Sequence, residues 1–258
     1  MSLRASEPAP RISVRWGAEP SRDRPRPQGK EVWASLPRDE QPGSGINAAF
    51  AWMVGELEVR GRAGDKPRVF LGDGQEALWE ARRDWLRADT VNILDLLHVT
   101  PRLWQAAHVF HPEGSRAAED FVRERVLRIL HGKAAGVIGG LREMATKQGL
   151  SGAKKKTIAK VCAYLEANRE RMHYDEYLQA GYPIASGAVE GACRHLVKDR
   201  MERAGMHWTI AGAQAMLDVR SIHVSGLWQE YQEHRIQVET ERLYPHHSLV
   251  EQPFAMAV

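Results

Sequence analysis

"VFLGDG", Val69 to Gly74, does most to limit what this chain can fold into: three apolar residues stop at an acid set between two glycines. An apolar run this short, closed by glycine, reads as a buried strand. The pattern recurs at "VNILD", where the run ends in Asp95 and passes directly into the helical stretch "LLHVTPRLWQAAHVF". Between the two runs, "QEALWEARRDWLR" has helical periodicity. Before them, Ile46, Phe50, Met53 and Leu57 recur at helical spacing, with Ser44 as a candidate cap and Gly61 as a stop. "KEVWASL", Lys30 to Leu36, supplies an earlier strand candidate stopped by Pro37. Alternation of strand and helix predicts an α/β layer with parallel pairing.

The pattern changes at Ala117. "AAEDFVRERVLRILHG", "GVIGGLREMATKQG" and "KKKTIAKVCAYLEANRERM" are consecutive helices without a strand signal, an all-helical block reaching to about residue 181. The lysines at 154–156 open a helix, where positive charge opposes the dipole unless an anion lies nearby; a solvated charge run is the plainer account. A further helix is expected from Ser186 or Gly187 to about Ala204, broken by Gly205, with one or two more beyond. Residues 241–258 show no periodicity and read as a frayed tail. Residues 1–29 hold five of the 13 prolines and six arginines with few apolar residues, the composition of a disordered tail.

Composition sets few limits. A net charge of +3 permits a nucleic-acid partner without demanding one. Two cysteines, Cys162 and Cys193, make neither a disulfide framework nor a zinc site unaided, so both are expected as buried free thiols. No apolar run is long enough to span a membrane and no secretion signal opens the chain, so a cytoplasmic protein is expected.

Three places could carry chemistry. Asp73 follows a buried strand, where α/β folds place ligands, although Asp-Gly is also an ordinary turn. Asp95 should emerge beside it if the two strands are neighbours, with His98 one helical turn on; an acid capping a helix would look the same. Glu190 borders an apolar stripe of Val189, Cys193, Leu196 or Val197, and Met201, and shares a helical face with Arg194 and Lys198. That face is either a decorated surface, whose ion pair adds about 0.2–0.5 kcal/mol, or an acid holding a metal while Arg194, Lys198, Arg200 and Arg203 guide a polyanion. Phosphodiester cleavage uses two Mg²⁺ (or Mn²⁺) ions, which need carboxylates converging from different elements.

"GYPIASGAVEGACRHLVKDRMERAGMHW", together with "FLGDGQEALW" and "ILDLLHVTPRLWQAA", resembles the C-terminal part of bacterial insertion-sequence transposases of the ISKra group, over roughly Lys30 to Tyr244. These are acid-triad (DDE) enzymes with an RNase H-like catalytic domain. The resemblance implies a partial RNase H-like core, a mixed sheet flanked by helices, in residues 30–116 and 182–240, with residues 117–181 as an all-helical insertion. It implies that the second and third acids are Asp73 and Glu190, both metal ligands. Asp95 would lie behind them, and His98 would match the acid-x-x-His signature of Mutator-like transposases and assist at the site. Implied partners are the DNA ends of the element and a second copy of the chain.

Two departures from the pattern matter. The family's first aspartate has no counterpart, since Glu7, Glu19 and Asp23 lie in the Pro/Arg-rich stretch, and His207 stands where the family has Arg. An N-terminally truncated or frameshifted copy, unable to cleave DNA alone and left with an open sheet edge, is therefore expected. The competing expectations are a non-catalytic DNA-binding protein that uses the helices around residues 189–223 as a helix-turn-helix, and a degraded gene product without activity.

Overall fold

A computed structural model of the chain describes residues 28–37, 44–60, 66–202 and 205–245, with the side chains of Ser44, Ala188 and Glu190 outside the description. Most of the expected tail, residues 1–27, lies outside the described residues, as do 246–258. The chain divides into two units, Met1–Glu31 and Val32–Val258. In the first, the described residues 28–31 form neither helix nor strand. The described helices and strands all belong to the second.

Helix α1 (Ser44–Arg60) precedes strand β1 (Val69–Gly72), α2 (Glu76–Trp85), β2 (Val91–Leu94) and α3 (Leu96–Phe110). The two strands pair in parallel with Gly72 opposite Leu94, and the amides of Val91 and Asp95 donate to the carbonyls of Arg68 and Gly72, each at 2.8 Å. Parallel strands are apolar on both faces. Accordingly Ile93 and Leu94 are fully buried, while Phe70 meets the edge of Trp79 at 5.3 Å between centroids. Arg82, buried on α2, donates to the carbonyls of Arg87 and Thr90 and so fixes the turn into β2.

The sheet is two-stranded among the described residues, where a mixed sheet was expected. Its β2 edge is not open. Residues 92 and 94 turn their carbonyls away from β1, and there the hydroxyls of Tyr177 and Tyr174 donate to them at 3.1 and 2.8 Å. Those two tyrosines belong to α7 (Tyr174–Gln179), which therefore does for β2 what another strand would do.

The expected all-helical block is observed as α4 (Arg116–Leu130), α5 (Ala134–Lys147), α6 (Gly152–Ala167) and α7. Ser115 caps α4 by accepting from the Ala118 amide. Val122, Ile129, Val137, Ile138, Leu141, Ile158, Val161 and Leu165 are buried together with Val99 and Leu103 of α3, so the helices and the strand pair share one apolar core. Gly132 turns α4 into α5 at φ +71, and the Asp175 carboxylate would lie 2.6 Å from any Cβ placed there.

The segment Lys30–Leu36 is not a strand, contrary to expectation. From Val32 to Leu36 the backbone is partnered by side chains of a helix, α10 (Ile210–Val224), and of the residue next to it, Ser225. The Leu36 amide donates to Gln214 Oε1 at 2.9 Å, Gln214 Nε2 donates to the Ala34 carbonyl, and the Val32 amide donates to Ser225 Oγ. Val32, Ala34 and Leu36 still alternate inward, against a small core of Ala192, Leu196 and Leu217. That core joins α10 to α8 (Gly187–Cys193), the π-helical turn Arg194–Lys198 and the single turn α9 (Asp199–Met201). The last helix among the described residues is α11 (Trp228–Leu243), so residues 241–243 continue a helix rather than opening a tail.

Candidate functional site

Because the strands run parallel and in this register, Asp73 and Asp95 leave the sheet at the same end. Asp73 is half-buried. Its Oδ1 accepts from the Gln75 amide at 2.8 Å, an Asx turn that leads into α2, whose N-cap has no side-chain bond of its own. The turn is real, and it engages one carboxylate oxygen. Among the described residues no hydrogen bond reaches the other.

Asp95 is 2% exposed and fully committed. One oxygen accepts from the Leu97 amide at 2.8 Å, capping α3, and the other accepts from both the amide and the hydroxyl of Ser186. The Leu96 amide also donates to the Ile184 carbonyl at 3.0 Å. The chain is thereby returned to the end of β2 just before α8 begins, and α8 carries Glu190 in its backbone. The side chain of Glu190 and all of Arg203 lie outside the described residues.

Two residues that the sequence did not single out complete this corner. Tyr164, on α6, is seated against Gly74: a Cβ on that glycine would collide with the hydroxyl-bearing edge of the ring. Arg102, on α3, stacks on the phenol at 4.6 Å from its centroid. Burial raises the Tyr164 hydroxyl above the ordinary tyrosine range, opposed by the Arg102 charge and reinforced by the nearby Asp73 and Asp95 carboxylates. Ser186 was expected only as a helix start. Nothing local marks its bond to Asp95, which spans 91 positions.

Among the described residues no side-chain hydrogen bond or ion pair joins the remaining expected residues to this corner. His98 is exposed, and among the described residues no hydrogen bond or ion pair joins its ring to either aspartate. Arg194, Lys198 and Arg200 are exposed without an ion pair among the described residues. The π-helical turn at 194–198, with i→i+5 spacing, takes Lys198 off the i+4 row from Arg194 that the expected face assumes. The expected apolar stripe is also revised. Val189 is 56% exposed, and Ala192 and Leu196 take the inward positions against Leu217. Cys162 is buried as expected, whereas Cys193 is exposed. The described residues 205–209 ahead of α10 are neither helix nor strand, already longer than the three- or four-residue link of a helix-turn-helix.

Among the described residues no three His, Cys, Asp or Glu side chains are grouped to hold a metal ion, and no helix is long and apolar enough to cross a membrane. Compared with known proteins, the chain matches no family model, no curated protein and no solved structure.

Proposed function

We propose that this chain carries part of the catalytic domain of a DDE-type DNA transposase with an RNase H-like core, in which Asp73 and Glu190 are the metal-binding carboxylates. One observation carries the reading: Asp95 ties Ser186, four residues before Glu190, to the strand end at which Asp73 emerges. An acid that shares a cation with Asp73 must arrive on an element anchored at this end of the sheet, and α8 begins there. The resemblance of the Tyr182–Trp208 stretch supplies the family.

Asp73 fits the role of ligand, because its turn engages only Oδ1. Asp95 does not, because both of its oxygens are used; it is a positioning residue for the segment that leads to Glu190. In a complete two-ion site one Mg²⁺ or Mn²⁺ would activate the attacking hydroxyl and the other would stabilise the leaving oxygen; Asp73 and Glu190 would hold one of the two. Among the described residues no strand precedes β1 to present a third carboxylate, so two acids would hold one ion and strand cleavage by this chain alone is not expected. Arg194, Lys198 and Arg200 are the proposed phosphate contacts to the element's ends.

Calorimetric titration with Mn²⁺ tests the assignment. Wild type should bind, and Asp73→Asn and Glu190→Gln should each abolish binding. Retained binding in both variants removes the site. A nicking assay with Mg²⁺ on the element's end sequences should show no turnover; robust turnover that Glu190→Gln abolishes would show a complete acid set. The exposure of three cations on one segment favours a second reading, a DNA-binding protein without catalysis. It requires salt-dependent DNA binding with no Mn²⁺ binding at all.

A further inference from the structure

Helix α6 begins with cations and no acid. Its N-cap, Ser151, makes no side-chain bond, its first turn holds no acid, and Lys154, Lys155 and Lys156 open it. Helices α2, α4 and α7 carry an acid in the first turn, whereas α1, α3, α5 and α10 carry none; α6 adds three consecutive lysines to that lack. Lys154, Lys155, Lys156 and Lys160 are all exposed, and none has an ion-pair partner among the described residues. Cations at a helix N-terminus oppose the dipole, so this arrangement costs the helix stability that folding alone does not require.

The lysines do not share one face. Helix α6 buries Ile158, Val161, Cys162 and Leu165, and its one acid, Glu166, is turned toward α5, where it pairs with Arg142. Lys155 lines the groove that α6 forms with α5, beside Arg142 and Leu150. Lys156 and Lys160 instead fall on a third face, at i and i+4, and the next position in that row is Tyr164. Each step along the row rises about 6 Å. Tyr164 is the residue seated on Gly74 beside Asp73. A cationic row therefore leads along one face of α6 and ends at the strand-end carboxylates.

We propose that Lys156 and Lys160 form a phosphate-contact track that guides the backbone of duplex DNA toward Asp73. The inference rests on the DNA-processing function proposed for Asp73 and Glu190 and adds a surface to it, contributed by the all-helical block rather than by the helix of Glu190. Lysine suits this task because it meets phosphates as a point charge with no sequence preference.

The experiment is fluorescence anisotropy of a labelled DNA duplex against the full chain over a KCl series. Wild type is compared with two variants that remove the same charge from the same helix, Lys156→Ala/Lys160→Ala on the row and Lys154→Ala/Lys155→Ala off it. All should fold, since alanine is the better helix former. Removing one phosphate contact lowers the slope of log K against log salt by about 0.9, so the on-row pair should lose about 2 while the off-row pair keeps the wild-type slope. Equal losses in the two variants would mean diffuse attraction and overturn the track. An unchanged slope in the on-row variant with DNA still bound would also overturn it, leaving the DNA-processing function intact. Failure of wild type to bind duplex at all would sink that function itself.

Discussion

The carboxylate of Asp95 holds Ser186 by both its amide and its hydroxyl while capping α3 through the Leu97 amide. One buried side chain thus closes a contact across 91 positions at the strand end and starts a helix. Asp95→Ala removes the cap and strands two Ser186 donors in a half-buried place, which should cost about 3 kcal/mol. Asp95→Asn keeps an acceptor for Leu97 but offers an NH₂ group where Ser186 needs an oxygen, for about 1 kcal/mol. Urea denaturation measures both. In a cycle with Ser186→Ala the coupling should be about 1 kcal/mol or more; additivity within about 0.5 kcal/mol would show that the contact contributes nothing.

Gly74 faces Tyr164 with no room for a methyl group, yet its backbone is not in the left-handed region. Space alone should therefore penalise Gly74→Ala, by about 1–3 kcal/mol, as the ring is forced off the Asp73 loop. The same substitution in a Tyr164→Ala background should cost about zero, because the obstructing atoms are gone. An undiminished cost there would place the constraint in the backbone instead.

The two thiols should separate cleanly. Burial pushes the Cys162 thiol above its ordinary range, and it is 2% exposed and directed at the Ile138 carbonyl. Cys193 is exposed. A thiolate-dependent reagent should label one cysteine per native chain, identified as Cys193 by peptide mapping, and label the second only in denaturant. Rapid labelling of Cys162 in the native chain would contradict its place in the core.

These features differ in how far the sequence displays them. Runs such as Val69–Leu71 and Val91–Leu94 declare themselves because a parallel strand is apolar on both faces, and the acids that end them are legible for the same reason. The helices of the block emerge from spacing. Val32, Ala34 and Leu36 mislead because alternation records which side chains point inward, not what satisfies the backbone between them; here Gln214 does. The stripe through Val189 misleads because two rows fit the same four-residue spacing: Val189 and Cys193 are both exposed, and Ala192 and Leu196 form the row that turns inward. Tyr164 and Ser186 leave no local trace, since each acts on a residue some ninety positions distant.

Alkaline pH should expose how much the strand pair depends on α7. Burial raises the hydroxyls of Tyr174, Tyr177 and Tyr164 above the ordinary tyrosine range, Tyr174 farthest, and Tyr174 is fully buried while donating to the Leu94 carbonyl. Proton linkage sets the sign. The unfolded chain releases these protons from about pH 10 while the folded chain keeps them, so the folded state binds more protons and stability falls as pH rises. The tyrosine contribution is complete below about pH 10 and declines progressively above it. Tyr174→Phe should flatten that alkaline decline. At neutral pH the same variant leaves the Leu94 carbonyl without its donor on a buried edge, costing about 1–3 kcal/mol. Denaturation midpoints collected from neutral to strongly alkaline pH test both effects in one series. A Tyr174→Phe curve parallel to wild type across the alkaline range would show that this hydroxyl is not held protonated by the fold.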